Sequence, residues 1–459
     1  MRRLSDWLAT PEARWIIAIF ALAFVVRLAF VGFLHPDPRD GRYDDSVFYD
    51  SAARHLAAGD GYVYDPTVWK TTDGNPIYPD QTTPTDTALW PPGYPVTLAV
   101  VYKLTGNSLW AARMLNVLLA SATAVLAFLI ARKLFNLPVA ATAGMGLALF
   151  PSHIFFSAIL LSETEFGFLA ALILALCVYF VFGPRPPGIL LAGALGVLVA
   201  FTGFVRGEFL AFGAVIALVM LIRYRLRSLL PIGALILGAM LLIVPWVVRN
   251  AVQMDAAIVG TTGAGRVVYQ AHNPDTNGGP SLDATLKLEA PYQGLPHTEL
   301  EVKSNADGTR LAREYAFSHV RRELQLFPKR LYLLFRSDES GITWLQSNKP
   351  LLSISGANRL ITLASFAFYG FIALAAISIA FWRRRGDPGL WLLFAVIPFY
   401  MLLFGVLFPA DPRYHYALYL PLVIFGSVSL VEIWQMTVEH YRELRGGRMI
   451  AASWQHPAG

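Results

Sequence analysis

The stretch WIIAIFALAFVVRLAFVGFL, at residues 15–34, decides the fold class of this chain. It carries a single charge, Arg27, and a helix of about 20 residues, rising about 1.5 Å per residue, crosses the hydrocarbon of a bilayer. A secretory signal peptide is the competing interpretation, but the run ends without a small-residue cleavage site and contains Arg27. We therefore interpret this stretch as a retained membrane span.

Further apolar runs continue this pattern along the chain. They lie at roughly residues 112–131, 137–151, 162–182, 188–203, 208–222, 229–248, 357–382, 389–409 and 414–437. Hydrophobic residues make up 55% of the chain, charged residues make up 15%, and the mean hydropathy is +0.49, which is too apolar for a soluble domain. The sequence predicts an all-α polytopic membrane protein with about ten transmembrane helices, flanked by juxtamembrane helices on the outer face.

Basic residues alternate with the apolar runs. If the N-terminus is cytoplasmic, every inner connection is basic, as the positive-inside rule requires; the residues are Arg2, Arg3, Arg14, Arg132, Lys133, Arg185, Arg223, Arg225, Arg227, Arg383, Arg384, Arg385, Arg442, Arg445 and Arg448. This pattern accounts for the net charge of +6 without a nucleic-acid partner. It predicts that both termini are cytoplasmic and that the long polar segments lie outside.

The predicted organisation is one transmembrane domain at residues 1–437 and a cytoplasmic tail at 438–459. Within the domain, the first outer loop covers residues 35–110 and the second large outer segment covers 250–356. The single cysteine, Cys177, excludes an intrachain disulfide and leaves the compartment undetermined.

The first outer loop contains the candidate catalytic motif, RYDDSVFYD, at residues 42–50. Carboxylates at the edge of a membrane protein need a functional reason, because the rest of the chain is built for lipid. Between Asp45 and Leu56, residues repeat at the spacing of one face of a helix, and the glycines at 59 and 61 end the pattern. This predicts a short helix along the membrane surface. Further on, WPPGYP at residues 90–95 predicts a rigid corner before a helix that begins at Val96.

The second outer segment begins with loop residues and continues with an amphipathic pattern. We predict a helix at about residues 309–326. The stretch 329–345 alternates apolar residues with Arg336, Asp338 and Glu339, so it is too charged for a span and is typical of an interfacial segment.

In their order along the chain, these motifs resemble the bacterial membrane glycosyltransferases of the GT-C fold. The resemblance is to the family 39-like group related to protein mannosyltransferases and lipid A aminoarabinose transferases. The matching motifs span about 400 residues: Asp44-Asp45 with Tyr49 and residues 53–56, WPPGYP at 90–95, ARMLN at 112–116, Phe150-Pro151 leading to LSET at 161–164, Pro245-Trp246 with Arg249-Asn250, and DPRY at 411–414. Unlike the larger members, the chain is expected to lack a soluble outer domain at its C-terminus, so the mode of acceptor recognition does not carry over.

The resemblance implies a hexosyl- or pentosyltransferase that moves one sugar from a polyprenyl-phosphate donor to an acceptor hydroxyl, with inversion at the anomeric carbon. A physical argument agrees with a lipid-linked donor. A site on the outer face cannot use cytoplasmic nucleotide sugars, and the chain has no Gly-rich nucleotide loop. The acceptor stays open between lipid, glycan and protein. The expected location is the bacterial inner membrane, where the enzyme would act in cell-envelope synthesis.

Such a transfer requires a base for the hydroxyl proton and a cation for the leaving phosphate. Asp45 is the predicted base, because it stands four residues before Tyr49 in the family motif. Asp44 is the alternative, since adjacent helical positions point about 100° apart and only one should face the site. The competing interpretation is that one of the two aspartates caps the helix.

Four arginines near the outer ends of predicted spans are the candidates for binding the donor phosphate, in the order Arg206, Arg413, Arg249 and Arg113. A guanidinium suits a phosphate through paired N–H donors. Snorkelling to headgroups is the alternative for each of them, and an internal pair with Glu208 is a second alternative for Arg206. Tyr414 and His415 follow Arg413 in the sequence and are expected to line the same opening.

The acid in the second matching outer turn is Glu163, which the resemblance assigns to acceptor or metal contact. Ser162 and Glu165 have the spacing of a capping box, which would explain both without a catalytic role. Tyr49 and Tyr94, from the matching motifs, are expected to line the site. His153 is interpreted as an interfacial polar residue, and no cluster has the spacing of a structural zinc site. No cofactor is predicted, and a divalent metal requirement stays open.

Two other classes of function are alternatives to this interpretation. A transporter or flippase would place ionisable residues near the bilayer midplane in helices broken in corresponding halves, whereas here the charges lie at the rim and no internal repeat is found. A polysaccharide polymerase or ligase is the closer alternative, because it also uses a lipid-linked donor at an outer site but joins whole oligosaccharides.

Overall fold

The chain folds into α-helices along most of its length. The computed structural model describes residues 8, 10–40, 44–68, 82–346, 350–382 and 386–453. In these ranges the helices are α1 (Pro11–Phe33), α2 (Asp45–Ala58), α3 (Gly93–Thr105), α4 (Leu109–Leu134), α5 (Leu137–Ala148), α6 (Pro151–Phe155), α7 (Glu163–Leu176), α8 (Ile189–Val205), α9 (Phe212–Tyr224), α10 (Leu229–Met254), α11 (Gly263–Ala271), α12 (Leu282–Glu289), α13 (His297–Ser318), α14 (Val320–Phe335), α15 (Ser340–Leu345), α16 (Ile354–Ser378), α17 (Pro388–Leu402) and α18 (Tyr419–Ser453). One short antiparallel pair, β1 (Val63–Tyr64) and β2 (Thr85–Asp86), joins Val63 to Asp86 and Tyr64 to Thr85.

Several predicted features fall outside the described residues. These are Arg42 and Tyr43 of the catalytic motif and the basic residues Arg2, Arg3, Arg383, Arg384 and Arg385; the side chains of Arg445 and Arg448 are likewise not described.

The predicted all-α membrane fold is confirmed. In the described part of the chain, seven helical stretches are long and apolar enough to cross a membrane, or eight if the bent pair Leu137–Ala148 and Pro151–Ala158 is one span. The stretch Gly207–Met254 has 48 residues, more than twice the length of about 20 residues that a span needs, and it is interrupted at Arg225, where φ is 54°. With that stretch divided into α9 and α10, and with the shorter α8 added, each of the ten predicted runs corresponds to a helix.

Arg27 of the first predicted span is fully buried and stabilises the bend between α5 and α6. Its guanidinium donates to Ala148 O at 2.8 Å and to Leu147 O at 3.1 Å, carbonyls at the C-terminal end of α5. It also lies 2.9 Å from His153 Nδ1. The interpretation of His153 as an interfacial polar residue is wrong, because its ring is 2% exposed and its Nδ1 faces the buried Arg27 guanidinium.

Helix α3 begins at Gly93, three residues before the predicted start. The first-turn amides of a helix have no intrahelical partner, so Pro95 fits there without losing a hydrogen bond. Gly93 also packs against the end of α8, where a Cβ atom would lie 2.7 Å from the Phe204 backbone. This contact holds the proline corner against the part of α8 that precedes Arg206.

The outer segment differs from the prediction in its helix boundaries. The helix expected at 309–326 is two helices, α13 and α14, which meet at His319. Helix α14 runs through Pro328, and the short α15 follows it within the stretch expected to be interfacial. The prediction placed the start of this region too late because α13 begins with polar residues, whose burial depends on the first outer loop.

The two outer segments are joined through Glu301 of α13, which is fully buried. Its carboxylate accepts hydrogen bonds from Thr87 Oγ1 at 2.6 Å and from Thr262 Oγ1 at 2.8 Å. Although burial opposes the charge, His297, 2.9 Å away, holds the pKa of Glu301 below its usual value. The ionised carboxylate therefore fixes the second outer segment to the first.

Candidate active site

The start of α2 distinguishes the two candidate aspartates. Asp44 has extended backbone angles, and its Oδ1 accepts a hydrogen bond from the Ser46 N–H at 2.8 Å, so Asp44 caps the helix. Asp45 occupies the first turn, and its Oδ2 contacts Arg413. The structure thus gives the capping role to Asp44 and places Asp45 beside a cation.

Arg413 connects Asp45 to Glu163. Arg413 Nη1 donates to Asp45 Oδ2 at 2.6 Å, and Arg413 Nε donates to Glu163 Oε1. The residue lies in the 3-10 helix Pro412–Leu418, which Asp411 caps by accepting from the Arg413 N–H at 2.9 Å. The DPRY motif therefore fixes the position from which this guanidinium reaches the site.

Arg206 reaches the same Glu163 oxygen from the end of α8. Its Nη1 donates to Glu163 Oε1 at 2.7 Å, and its Nε donates to Glu208 Oε1 at 2.6 Å. Asp45, Glu163, Arg206, Glu208 and Arg413 thus form one group, which we call the charged cluster. The internal pair with Glu208, considered above as an alternative role for Arg206, is present.

Burial within the charged cluster is graded. The Glu163 side chain is 0% exposed, the two arginine side chains are about 10% exposed, and the Asp45 side chain is 22% exposed. A buried ionised carboxylate is costly unless it is paired and hydrogen-bonded, and the two guanidiniums supply those partners to Glu163. Asp45 is the most accessible member, so the cluster opens toward it.

Several polar atoms of the cluster keep hydrogen-bonding capacity. In the part of the chain that is described, no residue accepts from Nη2 of Arg206 or Arg413, and none donates to Oδ1 of Asp45. Glu163 Oε2 is buried and also has no partner there. The cluster can therefore offer N–H donors to an anion and one carboxylate oxygen to a proton donor.

Aromatic rings surround the two guanidiniums. The Trp344 ring centroid lies 4.4 Å from Arg413 Cζ, a cation–π distance. Tyr414 and Phe166 lie 5.5 Å and 5.7 Å from Arg206 Cζ. These rings limit the directions from which water and ligands reach the arginines.

Tyr49 and Tyr94 lie beside the cluster, as expected of residues that line the site. Their rings meet edge to face at 5.3 Å, and Asn116 Nδ2 donates to the Tyr94 hydroxyl at 3.4 Å. Burial raises the pKa of the Tyr49 hydroxyl, and the nearby Asp45 carboxylate raises it further. Tyr49 is therefore protonated and can act as a hydrogen-bond donor but not as the base.

The other two candidate arginines are engaged elsewhere. Arg249 donates to Asp86 Oδ1, Tyr62 O and Thr87 O, each at 2.7 Å, and so holds the loop that contains β1 and β2. Arg113 is 3% exposed and donates to Pro36 O at 2.5 Å. The structure thus brings together Arg206 and Arg413 and leaves Arg249 and Arg113 outside the charged cluster.

His415 is fully buried behind the cluster. Its Nδ1 lies 2.7 Å from Leu334 O and its Nε2 lies 3.2 Å from Asp338 Oδ1. The Tyr419 hydroxyl donates to the same Asp338 oxygen at 2.6 Å. Among the residues that follow Arg413, Tyr414 lies at the cluster, whereas His415 anchors the chain that leads from α14 to α15.

The expected capping box at the start of α7 is wrong. Ser162 has helical rather than extended backbone angles and makes no side-chain cap. Glu165 instead accepts a hydrogen bond from Thr97 Oγ1 at 2.7 Å, across to α3. The hydrogen bond to Thr97 of α3 therefore replaces the capping box that the spacing of Ser162 and Glu165 predicts.

Two members of the site carried little sequence signal. Trp344 lies in a stretch whose charge pattern indicated only an interfacial segment, and nothing in its spacing pointed to Arg413. The sequence predicts Glu208 only as a possible partner of Arg206, and that pair makes Glu208 part of the charged cluster.

A cavity of about 660 Å³ is lined by Gly93 and Phe204, the two residues that meet where α3 packs against the end of α8. Its wall is mainly apolar, with Phe201, Phe204, Leu242 and Trp246 from α8 and α10. Polar residues, among them Asp60 and Arg249, also line it. Phe204 belongs to this wall and stands two positions before Arg206, so the cavity and the charged cluster share the end of α8.

Within the described ranges, no group of three or more His, Cys, Asp and Glu side chains could hold a metal ion. The carboxylates of the charged cluster instead contact guanidiniums.

Comparison with known proteins supports the resemblance. Residues 90–249 match the family model described as dolichyl-phosphate-mannose-protein mannosyltransferase. This region contains the proline corner, Glu163 and Arg206 of the site. No curated protein matches the chain in sequence.

Among solved structures, the chain is similar to the Archaeoglobus fulgidus oligosaccharyltransferase tethered to an acceptor peptide containing the NVT sequon. The TM-score is 0.55 at 12% sequence identity, over 96% of this chain and 51% of that one, so this chain spans about half the length of the archaeal protein. ArnT from Cupriavidus metallidurans bound to undecaprenyl phosphate matches with a TM-score of 0.43 at 14% identity, over 91% of this chain and 77% of that one. The chain is thus a multi-pass membrane protein with the GT-C fold whose residues 90–249 match the protein mannosyltransferase family, which confirms the predicted resemblance.

Proposed function

We propose that the chain is a glycosyltransferase that moves a sugar from a polyprenyl-phosphate donor to an acceptor hydroxyl. The observation that carries this proposal is the charged cluster, in which Asp45 and the two guanidiniums meet around Glu163. The description of the matching family names a lipid-phosphate sugar as donor, which supports the same class of donor for this chain.

In this proposal, each residue of the charged cluster has a separate role in the reaction. The acceptor oxygen forms a bond to the anomeric carbon while the bond from that carbon to the phosphate oxygen breaks, with inversion. Asp45 Oδ1 accepts the hydroxyl proton. Nη2 of Arg206 and of Arg413 donates to the phosphate oxygens on which charge accumulates, which stabilises the transition state more than the ground state.

Glu163 has a positioning role in this scheme. It holds both guanidiniums on one oxygen, so their free donors are oriented before the donor binds. Its second oxygen is a candidate contact for the acceptor, as the resemblance implies. Tyr49, Tyr94 and Tyr414 line the space around the reacting groups.

The prenyl chain of the donor has a candidate place in the apolar cavity beside Phe204. A chain attached to a phosphate at Arg206 would pass the end of α8, and Phe201, Leu242 and Trp246 continue the apolar surface from there. This arrangement fits a lipid-linked donor better than a water-soluble one, because a nucleotide sugar would present no apolar chain.

We place the site on the outer face of a bacterial inner membrane, with both termini in the cytoplasm. The support is the alternation of basic loops with apolar helices, which follows the positive-inside rule. The acceptor is a lipid, a glycan or a protein of the cell envelope.

The second candidate function is transfer of a whole oligosaccharide from a lipid carrier, as in a polymerase or ligase. The fold similarity to an oligosaccharyltransferase favours it. The two functions differ in the lipid that accumulates when the enzyme is absent.

Mass spectrometry of lipid-linked sugars and envelope glycans, with and without the gene, tests the proposal. Loss of the gene should cause a polyprenyl-phosphate monosaccharide to accumulate and one envelope sugar to disappear, and Asp45→Asn should fail to reverse either change. Accumulation of lipid-linked oligosaccharide would favour the second candidate. Unchanged lipid and glycan profiles would refute both.

A further inference from the structure

The junction of α13 and α14 carries an exposed surface that is both apolar and basic. Helix α13 ends at Ser318 and α14 begins at Val320. Phe317, Val320 and Leu324 are 78%, 53% and 71% exposed. Four basic side chains around them are also exposed; we call all seven residues the elbow, and its basic members are Arg313, Arg321, Arg322 and Lys329.

The positive charge of the elbow is not neutralised within the described chain. None of its four basic side chains forms an ion pair with a described residue, and the two nearby acids have other partners. Glu314 pairs with Arg310 at 3.2 Å, and Glu323 pairs with Arg330 at 2.9 Å. The elbow therefore presents unpaired cations to its surroundings.

The opposite face of α14 places the elbow at the membrane surface. Arg330 is buried and donates to Gly405 O and Val406 O at 3.3 Å and 3.4 Å. These carbonyls belong to the π-helix Leu403–Leu407, which forms the end of the spanning stretch Pro388–Leu407. Phe327 also packs on Gly405, where a Cβ atom would lie 2.7 Å from its ring. Helix α14 thus lies across the end of a span, where headgroups begin.

Val320 and Leu324 lie one turn apart on α14 and form one apolar flank, while Arg321, Arg322 and Lys329 lie on other sides of the helix.

The elbow is on the same side of the membrane as the charged cluster, because Leu334 O of α14 contacts His415, two residues beyond Arg413. Under the topology proposed above, the positive-inside rule leaves these basic residues unexplained.

We propose that the elbow is a docking surface for anionic lipid headgroups in the leaflet on the side of the charged cluster. The apolar side chains insert among the acyl chains, and the guanidiniums bind headgroup phosphates through paired N–H donors. An acidic protein would complement the charge of the elbow, but it would not explain why Phe317, Val320 and Leu324 are exposed at the membrane surface. The inference goes beyond the proposed reaction and does not depend on it.

The test is the lipid preference at the elbow in the full-length protein. Leu324→Cys can be labelled selectively with a fluorophore, because the natural Cys177 is buried. The labelled protein is placed in phosphatidylcholine nanodiscs that contain either brominated phosphatidylglycerol or, at the same mole fraction, brominated phosphatidylcholine. Bromine quenches nearby dye, so stronger quenching by the anionic lipid reports its enrichment at the elbow.

We expect stronger quenching by brominated phosphatidylglycerol, with a preference of about fivefold for each basic residue that contacts the headgroups. High salt should reduce the preference, and the variant Arg313→Gln/Arg321→Gln/Arg322→Gln/Lys329→Gln should abolish it. The matched control is Lys303→Gln, which removes an exposed lysine of α13 that is already paired with Glu299 at 2.7 Å, away from the elbow. That variant should keep the full preference.

Equal quenching by both brominated lipids would overturn the inference. Absence of quenching by either lipid would also overturn it, because the elbow would then lie outside the membrane. If polyglutamate shields the dye while the two lipids quench equally, the occupant is an acidic protein instead.

Discussion

Asp45 Oδ2 accepts a hydrogen bond from Arg413 Nη1 at 2.6 Å, so the proposed base and a proposed phosphate-binding cation are in direct contact. The contact uses one oxygen of Asp45 and one nitrogen of Arg413, and leaves Asp45 Oδ1 and Arg413 Nη2 for the substrates. A donor phosphate at Arg413 and an acceptor hydroxyl at Asp45 would therefore lie on neighbouring groups, as transfer between them requires.

The first prediction concerns the two aspartates. Asp45→Asn removes the base but keeps the shape of the side chain, so turnover should fall at least about 100-fold, the lower end of general-base effects, while the binding of donor persists. Asp44→Asn should cost less, because asparagine also caps helices. The measurement is turnover per folded molecule. Normal turnover of Asp45→Asn with loss in Asp44→Asn would reverse the two roles, and full activity of both would move the site elsewhere.

The second prediction concerns Arg206. Arg206→Lys keeps the charge but loses the forked geometry, so it should retain part of the activity, and Arg206→Ala should retain very little. The loss should appear in turnover as well as in donor affinity, because the guanidinium acts on the leaving phosphate.

Glu208→Gln and Arg132→Ala are the matched variants for this experiment. If Arg206 serves only to pair with Glu208, Glu208→Gln should mimic Arg206→Ala in lowering stability while turnover per folded molecule stays normal in both. Arg132 pairs with Glu12 at 3.0 Å, outside the charged cluster, so its loss should leave turnover unchanged. Normal turnover of Arg206→Ala would assign the phosphate to Arg413 alone.

The third prediction concerns Trp344, whose ring lies 4.4 Å from Arg413. Trp344→Leu removes the aromatic face that orients the guanidinium, and the lost cation–π contact corresponds to roughly fivefold to thirtyfold weaker binding of a prenyl phosphate. Trp344→Phe should restore most of that affinity because it retains a ring. Titration calorimetry with a short-chain prenyl phosphate measures the change. Trp434→Leu, at a position 68% exposed on α18, is the control, and equal affinity of Trp344→Leu and the unmodified protein would exclude this positioning role.

The sequence was sufficient for the membrane-spanning helices because each span needs only apolar length, which is a local property. The sequence also predicted four residues that the structure brings together. Asp45, Glu163 and Arg413 were predicted because each belongs to a motif of the matching order, and Arg206 because it lies at the outer end of a predicted span. The sequence could not show that Arg249 binds the loop around Asp86, because that depends on contacts between distant segments. Trp344 was missed for the same reason, since α15 is positioned by Asp338 and His415 rather than by its own sequence.

The fourth prediction concerns pH and the outer segments. The pKa of Glu301 lies below its usual value of 4.5 in the folded protein, so its ionisation stabilises the fold above that pH, and this stabilisation is lost as the pH falls below it. The protection of the α13 amides against hydrogen exchange, expressed relative to the intrinsic exchange rate at each pH, should therefore fall in acid. Glu301→Gln keeps the acceptor for Thr87 but removes the charge beside His297, so protection of these amides should be lower at neutral pH and should change less with acid. Unchanged exchange in the variant would show that the charge does not hold the segments together.

The last prediction concerns topology, because it decides the side on which the proposed reaction occurs. Gly278 O accepts a hydrogen bond from the Ala410 N–H at 2.9 Å, next to the DPRY motif, so Asn277 lies on the same side of the membrane as Arg413. The basic connections at Arg132 and Arg225 should be cytoplasmic by the positive-inside rule. Reporter fusions at Arg132, at Arg225 and at the C-terminus should then be active in the cytoplasm, while fusions at Thr83 and Asn277 should be active outside. A cytoplasmic reporter signal at Asn277 would place the charged cluster inside the cell, where nucleotide sugars are available, and would remove the main physical reason for a lipid-linked donor.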